Sequence, residues 1–249
     1  MKKLLGRLLG KGVSAVRPTC TAILAAAGSS QRMGGENKLL LPLDGVPVLA
    51  HTLRAVDAAQ SVDEIVIAAR EEDLLTYADL CKTYGIRKPV KVVVGGATRQ
   101  ESVLRAALEA RADAKLLAVQ DGARPLVTPE LFDAVVLRAS MCAAAAPAVP
   151  VHDTIKIARD SRVTETPDRS ALFAVQTPQV FDAGLLKAAL QSALTARAAL
   201  TDDCSAVEHL GKAVYLTDGD EENIKITTPL DLIVAEAILR RREEREETE

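Results

Sequence analysis

From Thr21 onward, short apolar runs alternate with longer stretches whose apolar residues recur at helical spacing, the pattern of parallel strands joined by crossover helices. Residues 21–26 predict the first buried strand, and further strands are expected over 64–68, 91–94, 115–119 and 145–149. These runs are largely apolar without alternation, as strands covered by helices on both faces must be.

Helix starts are marked by residues that satisfy the unpaired N–H groups of a first turn. A helix is expected to open at Pro47, where a missing N–H costs least, with Leu49, Leu53 and Val56 on its inner face. Thr98-Arg99-Gln100-Glu101 has the form of a capping box, and Thr128-Pro129-Glu130 and Thr228-Pro229-Leu230-Asp231 each set a hydroxyl cap before Pro. Residues 151–171 break the rhythm: they are polar and have no helical period, so a loop or a β-hairpin arm is expected there. A projecting hairpin leaves unpaired edges that a partner subunit can cover.

The 249-residue length favours one α/β domain. A basic extension over residues 1–18, a single domain over 19–240 and a charged tail over 241–249 are expected. Apolar residues make up 48% of the chain but aromatics only 2%, so aliphatic side chains and Ala must fill the interior. A net charge of −3 gives no general footprint for nucleic acid, so any anion site must be local. The N-terminal stretch starts like a signal peptide, but Arg7 and Lys11 interrupt its apolar run, and no segment is long enough to span a membrane. Cys20, Cys81, Cys142 and Cys204 lie far apart with no C-x-x-C pair, which points to reduced thiols and a cytoplasmic setting.

In open α/β sheets ligands bind beyond the carboxyl ends of the strands. The loop after the first strand, Ala25-Ala26-Ala27-Gly28-Ser29-Ser30-Gln31-Arg32-Met33-Gly34-Gly35-Glu36-Asn37-Lys38, joins small residues, which let backbone N–H groups approach an anion, to two cations. It has no G-x-G-x-x-G, and Leu39 stands where a Walker A loop needs Ser or Thr, so neither a dinucleotide fold nor a P-loop is supported. Taken alone, the loop is accounted for equally well by plain turns with solvated Arg32 and Lys38.

Ala26-Ala27-Gly28, Arg32-Met33-Gly34, Lys38 and then Leu43-Asp44-Gly45-Val46-Pro47-Val48-Leu49 resemble the nucleotidyltransferase signature loop. Gln120-Asp121-Gly122-Ala123-Arg124-Pro125 resembles the D-G/A-A-R-P motif of the 2-C-methyl-D-erythritol 4-phosphate cytidylyltransferases. Further matches follow in the family's order: Gly95-Gly96 with Arg99 and Ser102, residues 151–156, Asp168-Arg169, Gln176-Thr177-Pro178-Gln179, residues 201–205 and residues 223–227. Individually these have plain accounts, such as Thr98 and Thr201 capping helices or Lys225 on an exposed strand face. Ala25, Ser29, Ser30 and Leu39 depart from the usual family residues and spare both cations.

The resemblance implies a three-layer, Rossmann-like nucleotidyltransferase fold with a mostly parallel sheet and a projecting β-arm. It also implies CMP transfer from CTP to 2-C-methyl-D-erythritol 4-phosphate in the non-mevalonate isoprenoid pathway. A ribitol 5-phosphate acceptor and a non-catalytic nucleotide-binding protein are the alternatives. By motif position, Arg32 and Lys38 are expected to stabilise the triphosphate, and Arg169 and Lys225 to hold the incoming phosphate. Ala26, Ala27, Gly28, Gly96, Arg99 and Ser102 are expected at the CTP, and Asp121, Arg124, Thr154 and Thr177 at the polyol. Mg²⁺ is expected with the phosphates, Asp121 being the nearest candidate ligand. Because Arg169 and Thr154 fall in the arm, a homodimer with shared sites is implied.

Overall fold

The computed structural model describes residues 17–28 and 37–246. The chain opens with strand β1 (Cys20–Ala26), a small hairpin of β2 (Pro42–Leu43) and β3 (Val46–Pro47), and helix α1 (Val48–Ala58). It continues through β4 (Glu64–Ala69), α2 (Leu74–Thr83), β5 (Val90–Val94), α3 (Arg99–Glu109), β6 (Leu116–Asp121), α4 (Pro129–Cys142) and β7 (Ala144–Pro150). An excursion then forms β8 (Ile157–Arg159) and β9 (Arg162–Glu165). The chain returns through β10 (Phe173–Val175), β11 (Gln179–Asp182), α5 (Ala183–Ala196), α6 (Asp203–His209), β12 (Tyr215–Asp218) and α7 (Pro229–Glu246).

Strands β5, β4, β1 and β6 run parallel in that spatial order. Beyond β6 lies β11, antiparallel to both β6 and β7, while β10 pairs with the far end of β7 and β12 runs parallel along it. The sheet is therefore mostly parallel, as the strand pattern predicts. Alternate residues of each strand feed opposite layers. Ala22, Leu24, Ile65, Ile67 and Ala118 pack toward α1, α2, α4 and α7, whereas Ile23, Val66, Leu117 and Val119 pack toward α3, α5 and α6. The expected three-layer architecture results, and its small side chains let helices lie close to the sheet.

Thr98 and Thr128 cap α3 and α4 as expected, accepting from the N–H of Glu101 and Leu131. Glu101 reaches back to the N–H of Ala97 rather than that of Thr98. Elsewhere the caps differ from the sequence expectation. Asp202, not Thr201, caps α6, in a reciprocal box with Ser205. At α7 the Asp231 carboxylate reaches back to the N–H groups of Thr227 and Thr228 and to the Thr227 hydroxyl, contacts that the hydroxyl expectation did not include. Carboxylates serve at both helix starts because an ionised acceptor makes a strong bond to N–H and favours a helix N-terminus.

The excursion is a hairpin: β8 and β9 pair only with each other, and every residue of both strands is exposed. Its tip, Asp160-Ser161, has φ of 49° and 62°, and the turn between β2 and β3 uses the same hand at Asp44 and Gly45, with φ of 49° and 72°. Two-residue turns of this hand match the twist of the strands they join.

Candidate active site

β1, β4 and β5 step toward one sheet edge, and the chain then returns to lay β6 on the other side of β1. The carboxyl ends of β1 and β6 thus flank a topological switch point, where such sheets open a crevice. A cavity of about 350 Å³ lies there, lined by Ala26, Ala27 and Gly28 after β1, Gly96 and Arg99 after β5, Asp121 at the end of β6, and Lys38 and Lys225. A second cavity, of about 190 Å³, adjoins it across Arg99, Asp121 and Lys225, and is walled by Arg124, Gln176, Thr177, Gln179 and Thr201.

The loops after β1 and β5 touch. A Cβ built on Gly95 would stand 2.7 Å from the Ala27 Cβ and 2.9 Å from the Ser102 Oγ, so glycine is what lets them approach. Ser102 is buried; its hydroxyl accepts from Gly96 N–H at 2.9 Å and donates to the Thr98 carbonyl at 2.8 Å, fixing the loop.

Asp121 is the electrostatic centre. Lys225 Nζ stands 2.6 Å from one carboxylate oxygen, Arg99 Nη2 is 3.3 Å from the other, and Arg124 Nε is 3.9 Å away. Its backbone N–H donates to the Thr177 hydroxyl. Burial alone would raise the Asp121 pKa; Arg99, then Lys225 and Arg124, outweigh it and bring it down to about 2. Arg99 is shared with Asp203, whose Oδ2 lies 2.5 Å from Nη1. Asp203 is fully buried, and that burial raises its pKa against the pull of Arg99.

Hydrogen bonds tie the rest of the site together. Gln179 links Asp202 to the backbone N–H groups of Asp203 and Cys204. Gln176 holds both the N–H and the carbonyl of Asp220, and Asn223 donates to the Thr177 carbonyl. Arg124 donates to the Asn223 carbonyl at 2.6 Å, and Lys38 donates to that of Ile226 at 2.8 Å. Lys225 lies on this loop, not on the exposed strand face considered from sequence.

The structure therefore brings together Ala26, Ala27, Gly28, Lys38, Gly96, Arg99, Ser102, Asp121, Arg124, Thr177 and Lys225. Arg32 lies outside the described residues. Thr154 and Arg169 are exposed at the base of the hairpin and line neither cavity; Arg169 donates to the His152 carbonyl at 2.8 Å. Sequence reasoning assigned no role to Asp203, Gln179 or Asn223. The acidic pair Asp202-Asp203 inside a motif was the available signal, since a buried carboxylate needs a cation and Arg99 supplies it. Among the described residues, no group of three His, Cys, Asp or Glu side chains is placed to hold a metal ion.

A basic crevice at the switch point of a three-layer, mostly parallel α/β sheet defines a nucleotide-handling protein of the nucleotidyltransferase class. The family model for 2-C-methyl-D-erythritol 4-phosphate cytidylyltransferase (IspD) matches residues 20–241, and the chain belongs to that family. Among curated relatives, the cytidylyltransferase of that name from Bacillus cytotoxicus is 44% identical over 220 residues, covering 88% of this chain and 97% of its own. The one from Synechococcus elongatus is 43% identical over 223 residues, covering 89% and 96%. Among solved structures, the 4-diphosphocytidyl-2C-methyl-D-erythritol synthase of Anaerococcus prevotii superposes with a TM-score of 0.81 at 31% identity, over 90% of this chain and 96% of that one. The Thermus thermophilus cytidylyltransferase gives 0.72 at 31% identity, over 89% and 99%.

Proposed function

We infer that the chain transfers CMP from CTP to 2-C-methyl-D-erythritol 4-phosphate, giving 4-diphosphocytidyl-2-C-methyl-D-erythritol and pyrophosphate in the non-mevalonate route to isoprenoid precursors. The observation that carries the reading is the convergence of Lys38, Arg99, Arg124 and Lys225 around Asp121 at the switch point. An acceptor phosphate oxygen attacks the α-phosphorus of CTP and pyrophosphate leaves in line. Two anions must meet, so placed cations supply most of the acceleration and no covalent nucleophile from the protein is needed.

In our assignment the larger cavity takes CTP, with backbone from Ala26, Ala27, Gly28 and Gly96 and the side chains of Arg99 and Ser102 around it. Lys38 and Arg32 stabilise the triphosphate and the leaving pyrophosphate. The smaller cavity takes the polyol, with Asp121, Arg124 and Thr177 facing its hydroxyls. Lys225 stands between the two cavities, placed to leave Asp121 for the incoming phosphate. Mg²⁺ suits the larger cavity, whose lining has one carboxylate, because it binds through substrate phosphates, water and one or two carboxylates. Asp121 is the residue that would hold it, and when bound it neutralises charge on the phosphates.

Arg169 and Thr154 fit this scheme if a second protomer presents them. The exposed apolar side chains of Ile155, Ile157 and Val163 on the arm support a homodimer built through it. The organisation we propose is a basic extension over residues 1–18, a catalytic domain over 19–240 and a charged tail over 241–249, whose first residues continue α7. A cytoplasmic setting is supported by the free state of all four cysteines. The test is pyrophosphate release by the purified chain with Mg²⁺, crossing CTP and other nucleoside triphosphates with methylerythritol phosphate and ribitol phosphate. CTP-dependent release with methylerythritol phosphate is expected; release with ribitol phosphate alone would reassign the acceptor.

A further inference from the structure

The polar strap formed by residues 219–226 carries Asn223 and Lys225, has no regular secondary structure, and contributes Lys225 to the wall of the polyol cavity. Such a segment needs outside fixing to hold an ammonium at a reacting phosphate. From the inner side it is held by Gln176, by Arg124 on the Asn223 carbonyl and by Ile226 N–H on the Ala123 carbonyl. On its outer side stands the last part of α7. Arg242 Nε donates to Glu222 Oε2 at 2.7 Å, its Nη2 faces Asp220 Oδ2 at 3.6 Å, and its Nη1 donates to the Leu126 carbonyl at 3.1 Å. Arg241 pairs with the other oxygen of Glu222.

One guanidinium therefore bridges two of the segments that line the polyol cavity, the one after β6 and the strap. Leu126 ends the segment carrying Asp121 and Arg124, and Glu222 adjoins the residues that carry the Asn223 carbonyl and Lys225. The contacts are partly shielded, with Arg242 25% and Glu222 22% exposed. The hydrogen bond from Arg242, opposed by burial, holds the Glu222 pKa below the usual carboxylate value. A planar fork with donors on several edges can make all three contacts at once, and a lysine ammonium cannot.

We propose that Arg242 is a positioning residue for the acceptor half of the reaction, clamping the strap that carries Lys225 to the loop that carries Asp121 and Arg124. It touches neither substrate. Its effect rests on the assignment of Lys225 and Arg124 to the acceptor, made above. Loss of the clamp frees the end of the strap at residues 220–222, while its far end stays held at Ile226 by the Ala123 carbonyl and by Lys38, and the backbone cradle of the CTP cavity, built on β1 and β5, stays in place.

The experiment compares wild type with Arg242→Leu, Arg242→Lys and Glu222→Gln, with Lys225→Ala as reference, measuring KM for each substrate, kcat and melting temperature. For Arg242→Leu we expect kcat/KM for the acceptor to fall about tenfold, the loss of one charged hydrogen bond, while KM for CTP stays within about twofold. Arg242→Lys and Glu222→Gln should fall between it and wild type. If Arg242→Leu does not fold, the same acceptor-selective loss in the two milder variants decides the matter. The proposal is overturned if the folded variants keep wild-type values, or if they lose only kcat, with both KM values fixed, in step with a lower melting temperature. Should Lys225→Ala retain full activity, the assignment of the strap to the acceptor fails; should Lys225→Ala be inactive while the Arg242 and Glu222 variants are normal, the clamp alone fails.

Discussion

The crevice around Asp121 and the arm of residues 151–171 carry the proposed reaction residues in opposite physical settings. In the crevice each charged side chain is interlocked: Lys225 and Arg99 on Asp121, Arg99 also on Asp203, Arg124 on the Asn223 carbonyl. On the arm, Thr154 and Arg169 face solvent, and the hairpin strands pair only with each other. The contrast teaches that preorganisation here is divided. The chain fixes the crevice rigidly, through short bonds in a partly desolvated pocket where electrostatics act strongly. The remaining groups wait on an element with no core of its own.

The sharpest way to break this division is to remove a cation from each side. Lys38→Ala takes away a charge aimed at the triphosphate, and turnover is expected to fall on the order of 10²–10³; near-normal kcat in a steady-state pyrophosphate assay would remove Lys38 from the chemistry. Arg169→Ala should also be severely impaired, but by a different route. If the arm serves the neighbouring site, a dimer of one Lys38→Ala chain and one Arg169→Ala chain has one complete site. Mixing the two inactive proteins, with exchange of subunits, should then restore about a quarter of wild-type activity by random pairing. No recovery in a sample shown by mass spectrometry to contain mixed dimers would place Arg169 in its own protomer's site.

A smaller effect probes the interlocking itself. Asp121→Asn leaves Arg99, Lys225 and Arg124 facing one another without their shared anion, and a loss of about 3 kcal/mol of stability at neutral pH is expected from denaturant titration. The acid side gives the complementary signature. The Asp121 carboxyl titrates at about 2 in the folded chain and near 4 in an unfolded one. Its ionised form therefore favours folding above about pH 4, and that contribution disappears as pH falls through about 2. Wild type should lose stability across this window more steeply than Asp121→Asn; parallel slopes would mean that the pairing contributes nothing.

What the sequence disclosed follows the same division between local and non-local physics. Buried strands such as β1 and β4, and the caps at Thr98 and Thr128, depend on residues adjacent in the chain, and each is found where the pattern puts it. The glycine loop, Asp121 and Lys225 were legible as motif members. That Lys225 rests on Asp121, more than a hundred residues away in the chain, was not, because ion pairs between segments leave no periodicity to detect. Asp203 and Arg242 went unassigned for this reason: one is a buried partner to Arg99, the other a distant fork on Glu222. The cap at Thr201 misled because the neighbouring Asp202 carboxylate takes the first-turn N–H of Ser205, and a hydroxyl before a helix gives no sign of being outcompeted.

The finest test uses two turns of one kind inside this chain. Asp44-Gly45 and Asp160-Ser161 both place two consecutive residues at positive φ, yet only the first has glycine in the second position. Ser161 at 62° carries a Cβ into the left-handed region, at a cost that glycine avoids. In the small hairpin before α1 that choice is backed by the core, since Leu43 is buried and Val48 N–H bonds to the Leu41 carbonyl. On the arm nothing but the turn and the two strands resists fraying. Ser161→Gly should thus favour the hairpin in the free protomer while leaving the crevice untouched. A gain of about 0.5 kcal/mol in each arm, about 1 kcal/mol for the two arms of a dimer, would appear as a roughly fivefold tighter dimer, because less ordering remains to be done on docking. Melting temperature and kcat at saturating protein should not change. If dilution shows the dimer weakened, the added freedom of glycine in the unpaired arm exceeds the relief at the turn, and the arm is shaped on docking rather than before it.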